Sequence, residues 1–398
     1  MLDATAWTVI DARTGEALAS RGADRRLPIA SATKLMTAYL TLAELPLTRQ
    51  VRAVPYAAIP GESLLGLTAG ERVSVRDLLY GLILASGNDA AVTLASAVSG
   101  SEPAFVRQMN VRASALGLSD THYSNPIGLD EPGNYSSAAD LVALGRRLLG
   151  GRAFRRISDT EEASLPSLDP PETIPTRNTL LLGDPSATGI KTGHTLGAGY
   201  VLVGSARRDG VELISAVLGA SSELDRDIET SELLDYGFSL YRQRGPVRAG
   251  RSLARVDIRY TDEALPLVAS RNVRLGVRKD QRIEVSIQGP EEVTGPIRKG
   301  AKLGMATVTV DGRRVARVPL RAGRQVSKAS VLTRAQSVAG DWIAVILIAA
   351  SAIMIGVFVA RRRRRLGKAE KEEDILISRE QRRSERECQR REREEGSV

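Results

Sequence analysis

The chain has 398 residues, 26% charged and 42% apolar, which are proportions of a globular protein rather than a disordered one. Its length allows two domains, the larger with a sizeable core. A single cysteine, Cys388, excludes an intramolecular disulfide and a cysteine-based metal site, and with only His122 and His194 no histidine metal cluster is expected. The formal charge of +9 is unevenly spread: Pro246 to Gln336 holds 19 basic and 8 acidic residues, and Arg361 to the end holds 14 and 10. With Asp341 counted, residues 1–245 are left at −5, so a mildly acidic first domain precedes a strongly basic second one. No cofactor, metal or nucleic-acid partner is expected; chemistry here has to run on serine, lysine, threonine and backbone donors.

In chain order, residues 6–10 read as a strand and Glu16 to Ser20 as a second, across a turn at Asp11 to Gly15. Ile29 to Leu42 reads as a helix whose first turn carries Ser31 and Lys34, three positions apart and so on one face. Leu35, Met36, Ala38, Tyr39, Leu40 and Leu42 surround it with apolar surface, which marks it as buried. Two apolar helical runs, Val75 to Leu84 and Asp89 to Val98, are broken at Ser86-Gly87-Asn88, and helices at Pro103 to Leu116 and Ser137 to Leu149 follow. Strand patterns return at Gly199 to Ala206 and Val211 to Gly219, before a helix from Leu224 to Tyr241. Strands at both ends with helices between predict an α+β domain over residues 1–245.

From 246 to 325, short alternating runs such as R-I-E-V-S-I and A-T-V-T-V are separated by Gly and Pro, and V-D-G-R is a hairpin turn signal. A small all-β domain is expected there, then a linker at 326–341. Residues 342–360 carry no charge and are followed at once by Arg361 to Arg365. That pattern predicts a transmembrane helix with the charged tail, 361–398, on the cytoplasmic side and residues 1–340 outside the cytoplasm. The first residues, M-L-D-A-T-A-W-T-V-I-D, lack the basic-then-apolar pattern of a signal peptide. Export is therefore expected to rest on sequence upstream of Met1, or on the span itself.

Three short motifs occur in order: Ser31-Ala32-Thr33-Lys34, Ser86-Gly87-Asn88 and Lys191-Thr192-Gly193. Each alone is weak, but together they sit where nucleophilic chemistry needs them: opening a buried helix, in a loop between helices, and at the start of a strand. A serine hydroxyl becomes a useful nucleophile when a neighbouring base takes its proton. With no histidine in the set, Lys34 is the candidate base, provided burial and a nearby cation lower its basicity; Lys191 is the expected cation.

The set resembles the penicillin-recognising serine enzymes. With S-G-N in the middle it is similar to the D-alanyl-D-alanine carboxypeptidases, the low-molecular-mass penicillin-binding proteins of peptidase family S11. The surrounding P-I-A-S-A-T-K-L-M-T-A, V-S-V-R-D-L-L-Y-G-L-I-L-A-S-G-N-D-A, G-L-D-E-P-G-N-Y-S-S-A-A-D-L and G-I-K-T-G-H-T carry the same resemblance, which covers residues 1 to about 325. It implies a DD-peptidase-like α+β domain, an antiparallel sheet with helices, followed by the family's small β domain. The implied substrate is a peptidoglycan stem peptide ending in D-Ala-D-Ala, with β-lactams as inhibitors. Ser31 would attack the penultimate D-alanine carbonyl and form an acyl-enzyme. Ser86 would pass a proton to the leaving amine, and Asn88 would hold Lys34 or the substrate amide. Lys191, Thr192 and Gly193 would receive the terminal carboxylate, and the backbone N–H groups of Ser31 and His194 would form the oxyanion hole, the His194 ring merely packing beside it. The family also points to Arg226 and Arg177 as positives on the carboxylate side, with a plain surface role as the alternative for each. His122 is expected to be structural.

Three rival readings follow. A class A-type β-lactamase needs a glutamate-activated water, and no E-x-x-L-N segment lies between Asn88 and Lys191. A non-catalytic wall-binding protein has no need of the complete motif set. DD-endopeptidase or transpeptidase activity depends on loop geometry that the sequence leaves open.

Overall fold

The computed structural model describes residues 2–331, 334, 345–364, 375 and 378–386. The first three residues of the expected span, most of the linker, and most of the tail with Cys388 lie outside the described residues. The chain divides into two compact units, Met1–Val247 with Asn272–Glu284 and Val308–Val315, and Arg248–Arg271 with Val285–Thr307 and Ala316–Val398.

In the first unit, β1 (Ala6–Asp11) and β2 (Ala17–Arg21) lead to a 3-10 turn (Ala30–Thr33) and α1 (Lys34–Glu44). β3 (Gln50–Arg52) and β4 (Arg72–Ser74) bracket a long loop. Then come α2 (Val75–Tyr80), a π turn (Gly81–Ala85), α3 (Asn88–Ser99), α4 (Glu102–Leu116), α5 (Ala138–Leu149) and α6 (Arg152–Ser158). A small hairpin of β5 (Glu162–Leu165) and β6 (Glu172–Pro175), followed by α7 (Thr179–Gly183), precedes β7 (Ala187–Thr195). β8 (Gly199–Arg208), β9 (Val211–Ala220) and α8 (Glu223–Ser239) complete the core of this unit. Helix starts follow local chemistry: Ser74, Ser137 and Ser222 accept the backbone N–H of the aspartate three residues on, satisfying an end donor that the helix itself leaves free.

Five of these strands form an antiparallel sheet in the order β2-β1-β9-β8-β7. The apolar runs of β8 and β9 bury both faces, because side chains alternate with period two. Val203, Ile214 and Ala216 enter the larger core with Leu35, Met36, Leu94 and Leu141, while Leu202, Leu213 and Val217 pack with Leu233 and Leu234 of α8. Helices therefore cover both faces of the sheet. Leu35, Met36 and Leu40 of α1 are each 0% exposed, and such burial contributes about 1.5–3 kcal/mol per side chain.

The remaining strands are β10 (Tyr241–Val247), β11 (Ser252–Ile258), β12 (Ala264–Ala269), β13 (Val273–Arg278), β14 (Ile283–Gln288), β15 (Glu292–Val293), β16 (Lys302–Val310) and β17 (Arg313–Ala322). β10 pairs with β13, and the other six form one sheet, β14-β16-β17-β12-β11-β15. The V-D-G-R turn joins β16 to β17 with Asp311 and Gly312 both at positive φ, 48° and 75°, the pairing that matches strand twist in a two-residue hairpin. The α+β and all-β expectations hold. The helix expected to reach Tyr241 stops at Ser239, and Tyr241 already belongs to β10. The described part of the expected span, 345–360, lies in a helix, Val345–Arg364, with a mean hydropathy of 2.0 and none of its apolar window buried.

Candidate active site

The helix expected from Ile29 onward is regular only from Lys34; Ser31 sits in the 3-10 turn before it. The preceding Ala30 has φ 47°, a left-handed conformation that costs an L-residue free energy and turns the chain so that Ser31 opens the helix. Gly128 presses against this turn: a β-carbon there would lie 2.0 Å from the Ala30 carbonyl oxygen, and its φ of 94° also favours glycine. The Gly128 loop is folded on Asn125, whose Oδ1 accepts the backbone N–H groups of Ile127 and Gly128 at 3.2 and 2.6 Å.

Lys34 is 0% exposed, and its Nζ has three oxygens around it. Ser31 Oγ lies at 2.9 Å, Asn88 Oδ1 at 2.6 Å and the Ile127 carbonyl at 2.6 Å. Asn88 is delivered by the break between helical runs. The π turn ends in Ser86, left-handed at φ 62°, Gly87 caps the next helix, and Asn88 begins α3. Ser86 is 5% exposed, and its hydroxyl has no hydrogen-bond partner among the described residues.

The third motif lies within a strand rather than ahead of one. Lys191, Thr192, Gly193 and His194 are in the edge strand β7, paired with Val203, Leu202, Val201 and Tyr200 of β8. β7 runs against the serine's turn, since a β-carbon on Gly193 would come within 2.9 Å of the Ser31 backbone nitrogen. Lys191 is 1% exposed and its Nζ donates to the Thr192 carbonyl at 2.9 Å. The exposed His194 ring stacks on Tyr200 with centroids 4.1 Å apart. A cleft of 460 Å³ opens over Ser31, lined by Glu62, Asn88, Gly128, Asp130 and His194 among others.

Residues 1–222 match the model of the D-alanyl-D-alanine carboxypeptidase family, and residues 241–328 match that of the penicillin-binding protein 5 C-terminal domain. The chain belongs to the D-alanyl-D-alanine carboxypeptidase family. It is a serine-type peptidase. The carboxypeptidase DacF of Bacillus subtilis is 32% identical over 350 residues, spanning 85% of this chain and 90% of that protein. DacB2 of Mycobacterium tuberculosis is 36% identical over 248 residues, 60% of this chain and 84% of that one. Among crystal structures, penicillin-binding protein 5 from Haemophilus influenzae is 30% identical with a TM-score of 0.58, covering 82% of this chain and 98% of its own. A Streptomyces DD-transpeptidase is 31% identical with a TM-score of 0.57, over 60% of this chain and 98% of its own.

Burial is the largest influence on Lys34 and pushes its pKa down to about 7; Glu62 and Asp89 oppose the shift and Arg177 adds to it. Lys191 also falls well below the ordinary lysine value, first through burial and then through Lys34, Arg177 and Arg226. Two buried ammonium groups disfavour one another. Lys34 and Lys191 thus act on one another as expected, and Arg177 adds a positive charge that lowers both.

The two arginines differ in place. Arg177 is exposed and donates to Ser63 Oγ on the cleft loop. Arg226 is 2% exposed, pairs with Asp227 and Glu223 on its own helix, and donates to Thr179 at 2.9 Å. His122 bonds through Nδ1 to the Gly133 carbonyl at 2.6 Å. Sequence reasoning missed Glu62, Tyr56, Asn125 and the Ile127 carbonyl. Asn125-Pro126 is a visible turn dipeptide, but nothing local aims the carbonyl that follows it.

Proposed function

We propose that the chain removes the terminal D-alanine from peptidoglycan stem peptides through an acyl-enzyme on Ser31, with Lys34 as base, and that penicillin acylates the same serine. The carrying observation is the trio of oxygens around Lys34 Nζ. A neutral lysine amine has two N–H bonds and one lone pair. If Asn88 Oδ1 and the Ile127 carbonyl take the two N–H bonds, the lone pair is left for the Ser31 hydroxyl at 2.9 Å. Ser31 Oγ then bonds to the penultimate D-alanine carbonyl carbon while its proton passes to Lys34. The C–N bond to the last D-alanine breaks, that amine leaves with a proton relayed through Ser86, and water hydrolyses the ester. The backbone N–H groups of Ser31 and His194 would hold the oxyanion, supported by the close approach of β7 to the Ser31 nitrogen. Lys191, Thr192 and Gly193 would take the substrate carboxylate, with Arg177 at the rim. Arg226, whose Nε and Nη2 donate to Asp227, Thr179 and Glu223, would act on that carboxylate through the field of its buried guanidinium.

Mass spectrometry of a pentapeptide incubated with the full chain should record D-alanine release; an unchanged pentapeptide would remove this reading. The likeness to a DD-transpeptidase supports a second reading, action on cross-links. A cross-linked dimer in the same assay separates the two, since cleavage to monomers is endopeptidase action. Penicillin should be retained as a slow adduct, not turned over rapidly.

The same proposal gives residues 1–245 the catalytic role and 246–325 the β-rich domain, with 326–341 as linker and 342–360 as a single membrane span. The uncharged stretch and the Arg361–Arg364 run after it support the span, because 19 residues at a rise of about 1.5 Å would cover about 28 Å, close to the roughly 30 Å hydrocarbon core. Residues 361–398 would then be cytoplasmic and the catalytic unit outside. Truncation after residue 341 should move the protein from the membrane pellet to the soluble fraction; equal partition of both forms would exclude the anchor.

A further inference from the structure

The hydrogen-bond chain around the reactive pair does not end at Asn88. Asn88 Nδ2 donates to Glu62 Oε2 at 2.8 Å, and the Tyr56 hydroxyl donates to the same oxygen. Glu62 Oε1 accepts the Ile59 backbone N–H at 3.3 Å, which ties the carboxylate to its own turn in the loop between β3 and β4. None of the three motifs contains this residue, yet it lines the cleft beside Ser31 and Asn88.

We propose that Glu62 is a positioning residue for acylation: its carboxylate takes the Asn88 amide N–H, so that the Asn88 oxygen faces Lys34 and the Lys34 lone pair is left for Ser31. The inference rests on the Ser31–Lys34 reading above. Its physical basis is the two-ended asparagine side chain. An ionised carboxylate only accepts, so it selects the NH₂ end of Asn88 and leaves the oxygen for Lys34. Released from Glu62, the amide can rotate and offer an N–H to the lysine nitrogen, competing with the serine for the same lone pair.

The carboxylate also carries charge. Burial pushes the Glu62 carboxyl up, but hydrogen bonds from Tyr56, Asn88 and Ile59, with the Lys34 charge, outweigh it and hold it below the usual range. Glu62 and Asp89 favour the ammonium form of Lys34, while burial and Arg177 disfavour it; Lys191 is the other buried amine in the set. Removing the Glu62 charge therefore makes Lys34 a weaker base that loses its proton at lower pH.

The test is the rate of acylation of the full chain by a fluorescent penicillin between about pH 5 and pH 9, where a lysine base of this kind titrates. Glu62→Gln keeps a hydrogen-bonding side chain without charge, and should move the midpoint of the acid limb down by about 1 pH unit. Glu62→Ala should show the same downward shift and a plateau lower by about 10–100-fold, the scale of a misplaced catalytic group. Glu62→Asp keeps the charge but shortens the reach to Asn88, so its plateau should fall without the downward shift. A midpoint does not depend on how much of a preparation is folded, so partial unfolding cannot imitate these shifts. A parent that acylates, with Gln and Ala variants at its own midpoint, overturns the Glu62 inference alone. A parent that is not acylated overturns the Ser31 reading, and this inference with it.

Discussion

Ser31→Ala is expected to abolish covalent labelling by fluorescent penicillin and to lower D-alanine release by at least about 10³-fold. The change deletes one oxygen from a half-buried turn and leaves the core around α1 untouched. Among the described residues, no other hydroxyl lies within hydrogen-bonding distance of Lys34 Nζ, so no second nucleophile is placed to take over. The variant should still bind penicillin reversibly, because the cleft and the β7 edge remain. Labelling at the parental rate would show that the acyl group is carried elsewhere.

Lys34→Met should be nearly as damaging, reducing acylation by about 10²–10⁴-fold, the usual contribution of a positioned base. Methionine matches the buried stem in length but has no lone pair of comparable basicity. In the parent, Lys34 is pushed down to about 7, and only its unprotonated form accepts the serine proton. The acylation rate should therefore rise with pH, close to tenfold per unit below that value, and level off above it. The methionine variant should lose that limb along with the rate. A limb kept at the same pH would place the base on another group. Methionine also leaves the Asn88 oxygen and the Ile127 carbonyl without their shared donor, so thermal unfolding should report a loss of about 1–3 kcal/mol.

Lys191 shows what reading residues in order leaves out. Two lysines in two motifs suggest that each acts on the basicity of the other, and Lys34 is among the causes that lower Lys191. Yet Lys191 sits in β7 at 1% exposure, with one oxygen partner, the Thr192 carbonyl, so burial acts on it as it does on Lys34. Burial is set by packing against residues distant in the chain, and a motif carries no record of it. Arg177 was already a candidate, but for the carboxylate; its field reaches Lys34 because its loop faces Ser63 across the cleft.

Glu62 was invisible for a related reason. A glutamate in G-E-S on a Gly- and Pro-containing loop looks like any solvated charge. Only the return of that loop over α3 brings its carboxylate to the Asn88 amide. Asp89 helps to fix the return by accepting the backbone N–H groups of Leu65, Gly66 and Leu67 at 2.8–2.9 Å. The boundary misses were smaller and local. The α8 end fell short because Tyr241 pairs across to Arg278, a partner 37 positions later in the numbering. The K-T-G motif lies inside its strand because an edge strand can carry polar residues facing a cleft without breaking its ladder with β8.

The sequence alone determined the α+β class, the all-β region after it, the apolar helix, and the three motifs that name the family. Those are properties of periodicity and of short runs, which act over a few residues. The tertiary structure decided which groups meet at Lys34 Nζ, what burial does to both lysines, and that Glu62 closes the chain Tyr56–Glu62–Asn88–Lys34–Ser31. The physical reason is that desolvation and hydrogen bonding depend on distances between residues 31, 62, 88, 127 and 191, which only the docking of β7, the Gly128 loop and α3 around one turn brings within reach.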